Sequence, residues 1–280
     1  MTNCIEIKGL VKEYKTFTLG PIDLTVPGGS IMGLIGENGA GKTTLIKSML
    51  GITRPTAGEA SLLGTDPDHA KEDIGIVLDE CFFSEYLRVK DVDIVLSRVF
   101  KSWDKGLFRD YLDKFGLAGT KNIKELSRGM RMKLSLAAAL SHRPKLLLLD
   151  EATAGLDPVA RDEILDLLLE FIQDEERSVF FSSHITSDIQ KIADYVVLIH
   201  QGKIVFEEEK DVLLDRYGIL RCPRGTEVGP GDYIARRETG VSAEYLVRDR
   251  AAAGREHPKA VADAASLEDI MLFYIKGEAS

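Results

Sequence analysis

The run Gly36-Glu37-Asn38-Gly39-Ala40-Gly41-Lys42-Thr43-Thr44 constrains this chain more than any other feature, because it fits G-x-x-x-x-G-K-[ST]. Its flanks supply the context that pattern needs. Ser30 to Ile35 is apolar enough for a buried strand, and Lys42 to Leu50 has helical periodicity with Gly51 placed to end it. A glycine-rich turn between strand and helix can point successive backbone N–H groups inward, and the helix start adds partial positive charge. Together these make a cradle for nucleotide phosphates. Gly36, Asn38, Gly39, Ala40, Gly41 and Thr44 are expected to line it, Lys42 to hold the β- and γ-phosphates, and Thr43 to ligate magnesium. The plain alternative is a βα turn with no ligand.

At 280 residues the chain has room for one large α/β domain and a small appendage. No stretch approaches the roughly 18 apolar residues that span a bilayer, since Asp150 closes the run Leu146 to Leu149. The start, Met1 to Glu6, lacks the regions of a signal peptide, so a cytosolic chain is expected. Three separated cysteines, Cys4, Cys81 and Cys222, indicate neither a disulfide framework nor a zinc cluster and are expected reduced and buried. A formal net charge of −9 argues against a broad electrostatic grip on nucleic acid.

Along the chain, Cys4 to Ile7 and Phe17 to Val26 read as strands of an antiparallel layer ahead of the glycine-rich turn, with further strands at Glu59 to Leu63 and Ile74 to Leu78. The pattern then turns helical over about 80–143. Between Lys101 and Phe115, Trp103, Leu107, Phe108, Tyr111, Leu112 and Phe115 recur at three- and four-residue steps, a stripe suited to packing rather than to a cofactor. Alternation resumes with Lys145 to Leu149, Pro158 to Gln173, Ser178 to Ser182, Ser187 to Ala193, Tyr195 to Ile199 and Lys203 to Phe206, which implies a parallel sheet flanked by helices. From 207 the composition shifts to short strand-like pieces, Tyr233 to Arg236 and Glu244 to Val247. The expectation is α/β: a P-loop NTPase core in 1–206 with an antiparallel β layer and a helical subdomain, then a small α+β extension in 207–280. Its last helix should start in a capping box of Ser266 and Asp269.

Leu146-Leu147-Leu148-Leu149-Asp150-Glu151 is a buried strand ending in two carboxylates, which beside a P-loop is where Asp150 would hold magnesium and Glu151 would face an attacking water. Leu126-Ser127-Arg128-Gly129-Met130 precedes it. With this LSRGM, the P-loop, the Asp-Glu strand, Ala154-Gly155-Leu156-Asp157 and Ser183-His184 in order, the chain resembles the ATP-binding cassette (ABC) ATPases over residues 3 to 206. The resemblance implies ATP and Mg2+ as ligands, His184 as a γ-phosphate contact, Asp157 in the D-loop, and Ser127 and Gly129 acting in trans on ATP held by a second ABC ATPase subunit, in a homo- or heterodimer. Read alone, Ser127 is an ordinary helix cap and His184 a structural histidine. Tyr14 matches the aromatic that stacks on adenine, and Asp79 stands where the family's magnesium-ligating Gln is usual, with a shorter reach and an added charge. Ala152 replaces a usual Pro.

Arg128, Met130 and the ending Ser266 to Tyr274 resemble bacterial antibiotic and peptide exporters. That implies an ATPase subunit on the inner face of the cell membrane, docked on separate integral membrane permease subunits, with no nucleic acid expected. Phe82, Phe83, Tyr86, Leu87 and Arg88, just past Asp79, are the expected docking surface. A soluble ABC ATPase acting on ribosomes or nucleic acid is the alternative, disfavoured by the single cassette and the acidic balance. A P-loop GTPase or small-molecule kinase is a third, opposed by LSRGM and by the lack of an Asn-Lys-x-Asp motif.

Overall fold

Alternation of apolar and polar residues near the N-terminus builds an antiparallel pair in the computed structural model, which describes residues 2–223, 228–238 and 242–279. β1 (Asn3–Glu13) and β2 (Thr18–Pro27) bury Ile5, Ile7, Leu19, Ile22 and Leu24. The first strand runs past its expected end because Gly9, at φ +55, absorbs a bulge between Ile7 and Leu10 and pairing continues to Glu13. β3 (Ile31–Ile35) and α1 (Lys42–Met49) follow, and β4 (Ala57–Leu62) returns to β1, completing a three-stranded layer of order β2-β1-β4. A one-turn helix, α2 (Pro67–Ala70), capped by Asp66, leads to β5 (Ile74–Val77).

The helical insertion contains α3 (Asp91–Leu96), α4 (Lys105–Lys114) and α5 (Arg128–Leu140). Asp104 caps α4 by accepting from Leu107 N at 2.9 Å, so the helix expected from Lys101 begins at Lys105. Trp103 lies before it and still packs on Phe108, their ring centroids 5.2 Å apart. Phe108, Leu112, Ile123 and Leu134 form a separate small core, so the aromatic stripe packs as expected.

Beyond the insertion come β6 (Leu146–Asp150), α6 (Pro158–Phe171), β7 (Ser178–Ser183), α7 (Thr186–Ile192), β8 (Tyr195–His200) and β9 (Lys203–Glu209). They join β3 and β5 in a six-stranded sheet of order β5-β6-β7-β3-β8-β9, parallel except for the β8–β9 hairpin. Four consecutive leucines suit β6 because both of its faces are covered. Leu147 and Leu149 enter the core with α5 and α6, while Leu146 and Leu148 enter the core with α1 and β1. Register aligns the strand ends: Ile35 lies opposite Ser183, Asp150 opposite Ser182, and Val77 opposite Leu149. The P-loop, Asp150-Glu151, His184 and Asp79 therefore all leave the sheet at one edge.

The chain ends with α8 (Lys210–Arg216), β10 (Gly218–Pro223), β11 (Ala235–Glu238), β12 (Ser242–Val247), α9 (Arg250–Glu256), β13 (Val261–Ala264), α10 (Leu267–Lys276) and β14 (Glu278–Ala279). The strands make a five-stranded antiparallel sheet of order β13-β10-β12-β11-β14. β11 and β12 correspond to the two expected strands. The capping box is present: Ser266 Oγ accepts from Asp269 N at 3.1 Å and Asp269 Oδ2 from Ser266 N at 3.0 Å. Leu213, Tyr217, Leu246, Ile270 and Phe273 share one core with Phe171, Ile189 and Ile192, so this region buttresses α7. Cys4 and Cys222 are buried as expected, but Cys81 is only half-buried, because the segment that carries it runs along the surface.

Candidate functional site

The glycines of the P-loop do specific work at two positions. Gly41 starts α1 at φ +114, closed to a residue with a Cβ, and a Cβ on Gly36 would stand 2.5 Å from the carbonyl oxygen of Ile199. Gly202 N donates to Ala40 O at 2.9 Å and pins the loop to the β8–β9 turn. Lys42 is buried and folds into the loop, donating to Gly36 O at 2.8 Å and Glu37 O at 3.2 Å. Asn38 and Gly39 are exposed, and Thr43 and Thr44 are half-buried in the first turn of α1.

Glu151 leaves β6 at φ +53, a backbone region costly for a residue with a side chain and favoured only when its surroundings hold it. Here its N–H reaches Ser182 O at 3.0 Å and Ser182 Oγ at 3.2 Å. The carboxylate links two groups. Oε1 lies 3.0 Å from Lys42 Nζ, off the hydrogen-bond axis, and Oε2 lies 2.6 Å from His184 Nδ1 and accepts from His184 N at 3.3 Å. Asp150 beside it is fully buried, with Oδ1 accepting from Ser182 Oγ at 2.6 Å. Its Oδ2 has no partner among the described residues. A buried carboxylate oxygen without a donor is unfavourable, so Asp150 Oδ2 suits a hard divalent cation such as magnesium, and the half-buried Thr43 hydroxyl is an oxygen ligand of the same hard class.

Other expected residues stay apart from this cluster. Asp79 is exposed beyond β5, separated from β3 by β6 and β7, with no hydrogen bond or ion pair to Thr43 or Asp150. Asp157 caps α6, accepting from Val159 N and Ala160 N at 3.1 Å each, with Pro158 opening the helix. Ser127 caps α5, its Oγ accepting from Met130 N at 3.2 Å, and a Cβ on Gly129 would meet only ordinary contacts. Tyr14 is 48% exposed, with the Lys12 ammonium 5.4 Å from its ring centroid and no hydrogen bond to the P-loop. The ring that packs on the loop is that of Phe17, 3.0 Å from where a Cβ on Gly41 would be.

Sequence reasoning passed over Ser182 and His200. Ser182 orients Asp150 and braces Glu151, and His200 Nδ1 lies 3.1 Å from Glu37 Oε1 of the P-loop. The available signal for the first was a buried serine pair, Ser182-Ser183, ending the apolar strand β7.

The family described as ABC transporter matches residues 19–154. A bacitracin transport ATP-binding protein of Enterococcus faecalis is 36% identical over 218 residues, covering 74% of this chain and 70% of that protein. A lantibiotic transport ATP-binding protein of Streptococcus pyogenes is 32% identical over 213 residues, covering 74% of this chain and 91% of that protein. Among solved structures, one described as the ATP binding subunit of an ABC transporter superposes with a TM-score of 0.68 at 24% identity, covering 75% of this chain and 91% of its own.

Proposed function

This chain belongs to the ABC transporter family, and from that premise we propose that it is the ATP-hydrolysing subunit of a bacterial exporter moving a drug, antibiotic or peptide through separate membrane subunits. Membership makes it an ATP-binding protein of ABC ATPase type. The observation that carries hydrolysis is the convergence of Lys42 and His184 on the Glu151 carboxylate at the strand edge. The exporter reading is supported by what its relatives are called, bacitracin and lantibiotic transport ATP-binding proteins.

In this proposal Lys42 gives up Glu151 and turns its ammonium to the β- and γ-phosphates, which also meet the N–H groups of Gly39, Ala40, Gly41 and Thr44. Glu151, freed from Lys42, orients a water and accepts its proton, while His184 contacts the γ-phosphate. Magnesium, when bound, would supply Lewis-acid charge on the phosphates; Thr43 and Asp150 would hold it, and Asp79 would join them only by moving in from its exposed place beyond β5. Tyr14 stacks on adenine. Residues 1–206 are the nucleotide-binding unit, with 207–280 supporting it.

Ser127, Gly129 and Asp157 act across a dimer, on ATP bound by the partner copy. Support comes from the exposure of Ser127, whose hydroxyl accepts from Met130 N of its own helix and makes no hydrogen bond to this chain's own P-loop. No helix among the described residues is long and apolar enough to cross a membrane, so this proposal requires partner subunits to carry the cargo path. Their docking place is a groove of about 350 Å³ lined by Ile52, Ile76, Phe82, Phe83, Val99 and Phe100, on the segment that continues to exposed Tyr86. Of the five residues expected to form the docking surface, Phe82, Tyr86 and Arg88 are exposed, while Phe83, which also lines the groove, and Leu87 are partly buried against the insertion's own core. Lys124 N donates to Glu85 O at 3.1 Å and Ile123 N to Leu87 O at 2.9 Å, which ties the docking segment to the approach to Ser127.

The test is magnesium-dependent ATP hydrolysis by the purified protein, followed by mixing Lys42→Ala with Ser127→Arg. One composite site of the mixed dimer is then intact, and partial rescue over either variant alone is expected. An inactive wild type sinks the reading. A mixture that shows neither rescue nor ATP-dependent crosslinking sinks the shared-site arrangement.

A further inference from the structure

The carboxylate of Asp188 plays no part in the site above, yet it stands between two segments that do. Asp188, on α7, is 3% exposed, and its Oδ1 lies 3.9 Å from Nη1 of Arg161 in the first turns of α6. Its Oδ2 and the Nε of Arg161 are both buried, and neither has a partner among the described residues. Buried charges are normally in close contact with their hydrogen bonds satisfied, so a pair this open is unfavourable as it stands. The unspent donor and the unspent acceptor belong to the same pair. A guanidinium presents Nε–H and Nη–H as a planar fork that matches the two oxygens of a carboxylate at about 2.7–2.9 Å. Closing the 3.9 Å gap to that distance takes an approach of roughly 1 Å.

What such an approach would move is set by the chain. α6 follows directly from the Ala154–Asp157 loop, and Arg161 N donates to Asp157 O at 3.0 Å, so the Arg161 backbone is joined to that loop. α7 starts at Thr186, just beyond His184, whose ring touches Glu151. On the solvent side Lys191 of α7 already donates to Asp162 at 2.6 Å and Asp166 at 3.0 Å of α6. The two helices are thus fastened along one side and open at Arg161–Asp188.

We infer that Arg161 and Asp188 are positioning residues that close into a two-point contact in the hydrolysing state, bringing the Ala154–Asp157 loop and His184 to their working separation together. This rests on the proposed ATPase reading, which is what makes those two segments functional. Neither residue is among those proposed to meet ATP, so the contact acts on turnover and not on nucleotide affinity.

The experiment is steady-state ATPase kinetics, nucleotide binding and thermal melting of the full chain as wild type, Asp188→Asn, Arg161→Lys and the double variant. The first change keeps shape and removes charge; the second keeps charge and removes the fork. Each is expected to lower kcat about tenfold while KM and ATP Kd stay within about twofold and the melting temperature holds or rises, and the double variant falls no further than either single one. The inference is overturned if Arg161→Lys retains kcat within about twofold of wild type, if the loss appears only in KM, or if kcat falls in step with melting temperature and the two changes add. Should Asp188→Asn not fold, Arg161→Lys decides alone, since the Arg161 side chain is 30% exposed and is replaced by another cation. An inactive wild type overturns both readings, whereas an active wild type with unaffected variants overturns this one only.

Discussion

Glu151→Gln tests two roles of one side chain at once. As placed, Oε1 of Glu151 lies 3.0 Å from Lys42 Nζ, and Lys42 must leave it to hold a phosphate. At an effective dielectric of about 20, unit charges at this 3.0 Å separation attract by roughly 5 kcal/mol. Desolvation of two nearly buried groups takes back most of that, leaving a net of about 1–2 kcal/mol for a contact lying off the hydrogen-bond axis. The amide removes this competition, and Lys42 keeps Gly36 O and Glu37 O as acceptors, so its charge is not left uncompensated. ATP should therefore bind roughly 5- to 30-fold more tightly. The same change removes the base that polarises water, and kcat should fall at least about a hundredfold. Calorimetric titration with Mg-ATP gives Kd, and phosphate release gives kcat. Affinity unchanged or weaker would refute the competing ion pair, and near-wild-type turnover would remove Glu151 from catalysis.

Other consequences follow from burial. Phe273 is 1% exposed in the core shared with α7, so Phe273→Ala should cost about 3–5 kcal/mol and lower the melting temperature by roughly ten degrees, even though residue 273 lies far from the P-loop in sequence. Tyr86→Ala with Arg88→Ala should weaken association with membranes carrying the permease by about 2 kcal/mol, near thirtyfold, with the melting temperature unchanged; loss of stability without loss of association would favour a packing role. His142 is buried against Phe100, its ring centroid 4.0 Å from the phenyl, and burial holds its pKa below 6.5. The unfolded chain then binds the extra proton first. Stability should be full above pH 6.5 and fall as pH drops below it, by up to about 1.4 kcal/mol per unit, and His142→Gln should flatten that slope in melts at pH 7.5 and 5.5.

Features set by near neighbours were legible from residues alone. The P-loop needs only its glycines, its lysine and a following helix, and Gly41 and Lys42 sit as that pattern requires. The caps at Ser127 and Ser266 and the leucines of β6 are equally local. Less legible were short strands whose existence depends on pairing. β13, Val261–Ala264, has no large buried side chain and is a strand because β10 lies beside it. β10 itself carries only the apolar pair Ile219-Leu220 between Gly218 and Arg221, too little patterning to stand out from its surroundings. Asp79 showed the limit of motif order: it leaves β5 at the same edge as Asp150, but no hydrogen bond or ion pair joins it to Asp150 or Thr43.

The sequence by itself determined which chemistry is present: a phosphate cradle, two carboxylates ending an apolar strand, a histidine ending another, and an LSRGM segment held as a helix start. These follow from φ preferences, periodicity and capping, all of which act over a few residues. Only the tertiary structure decided which groups meet. Sheet order places β7 between β3 and β6, which lets Ser182 hold Asp150 and brings His184 and Lys42 onto Glu151 from opposite sides. The same assembly leaves Asp150 Oδ2 without a donor and Arg161 open to Asp188. Strand order and helix seating minimise free energy over contacts made far apart in the chain, so no local window contains them.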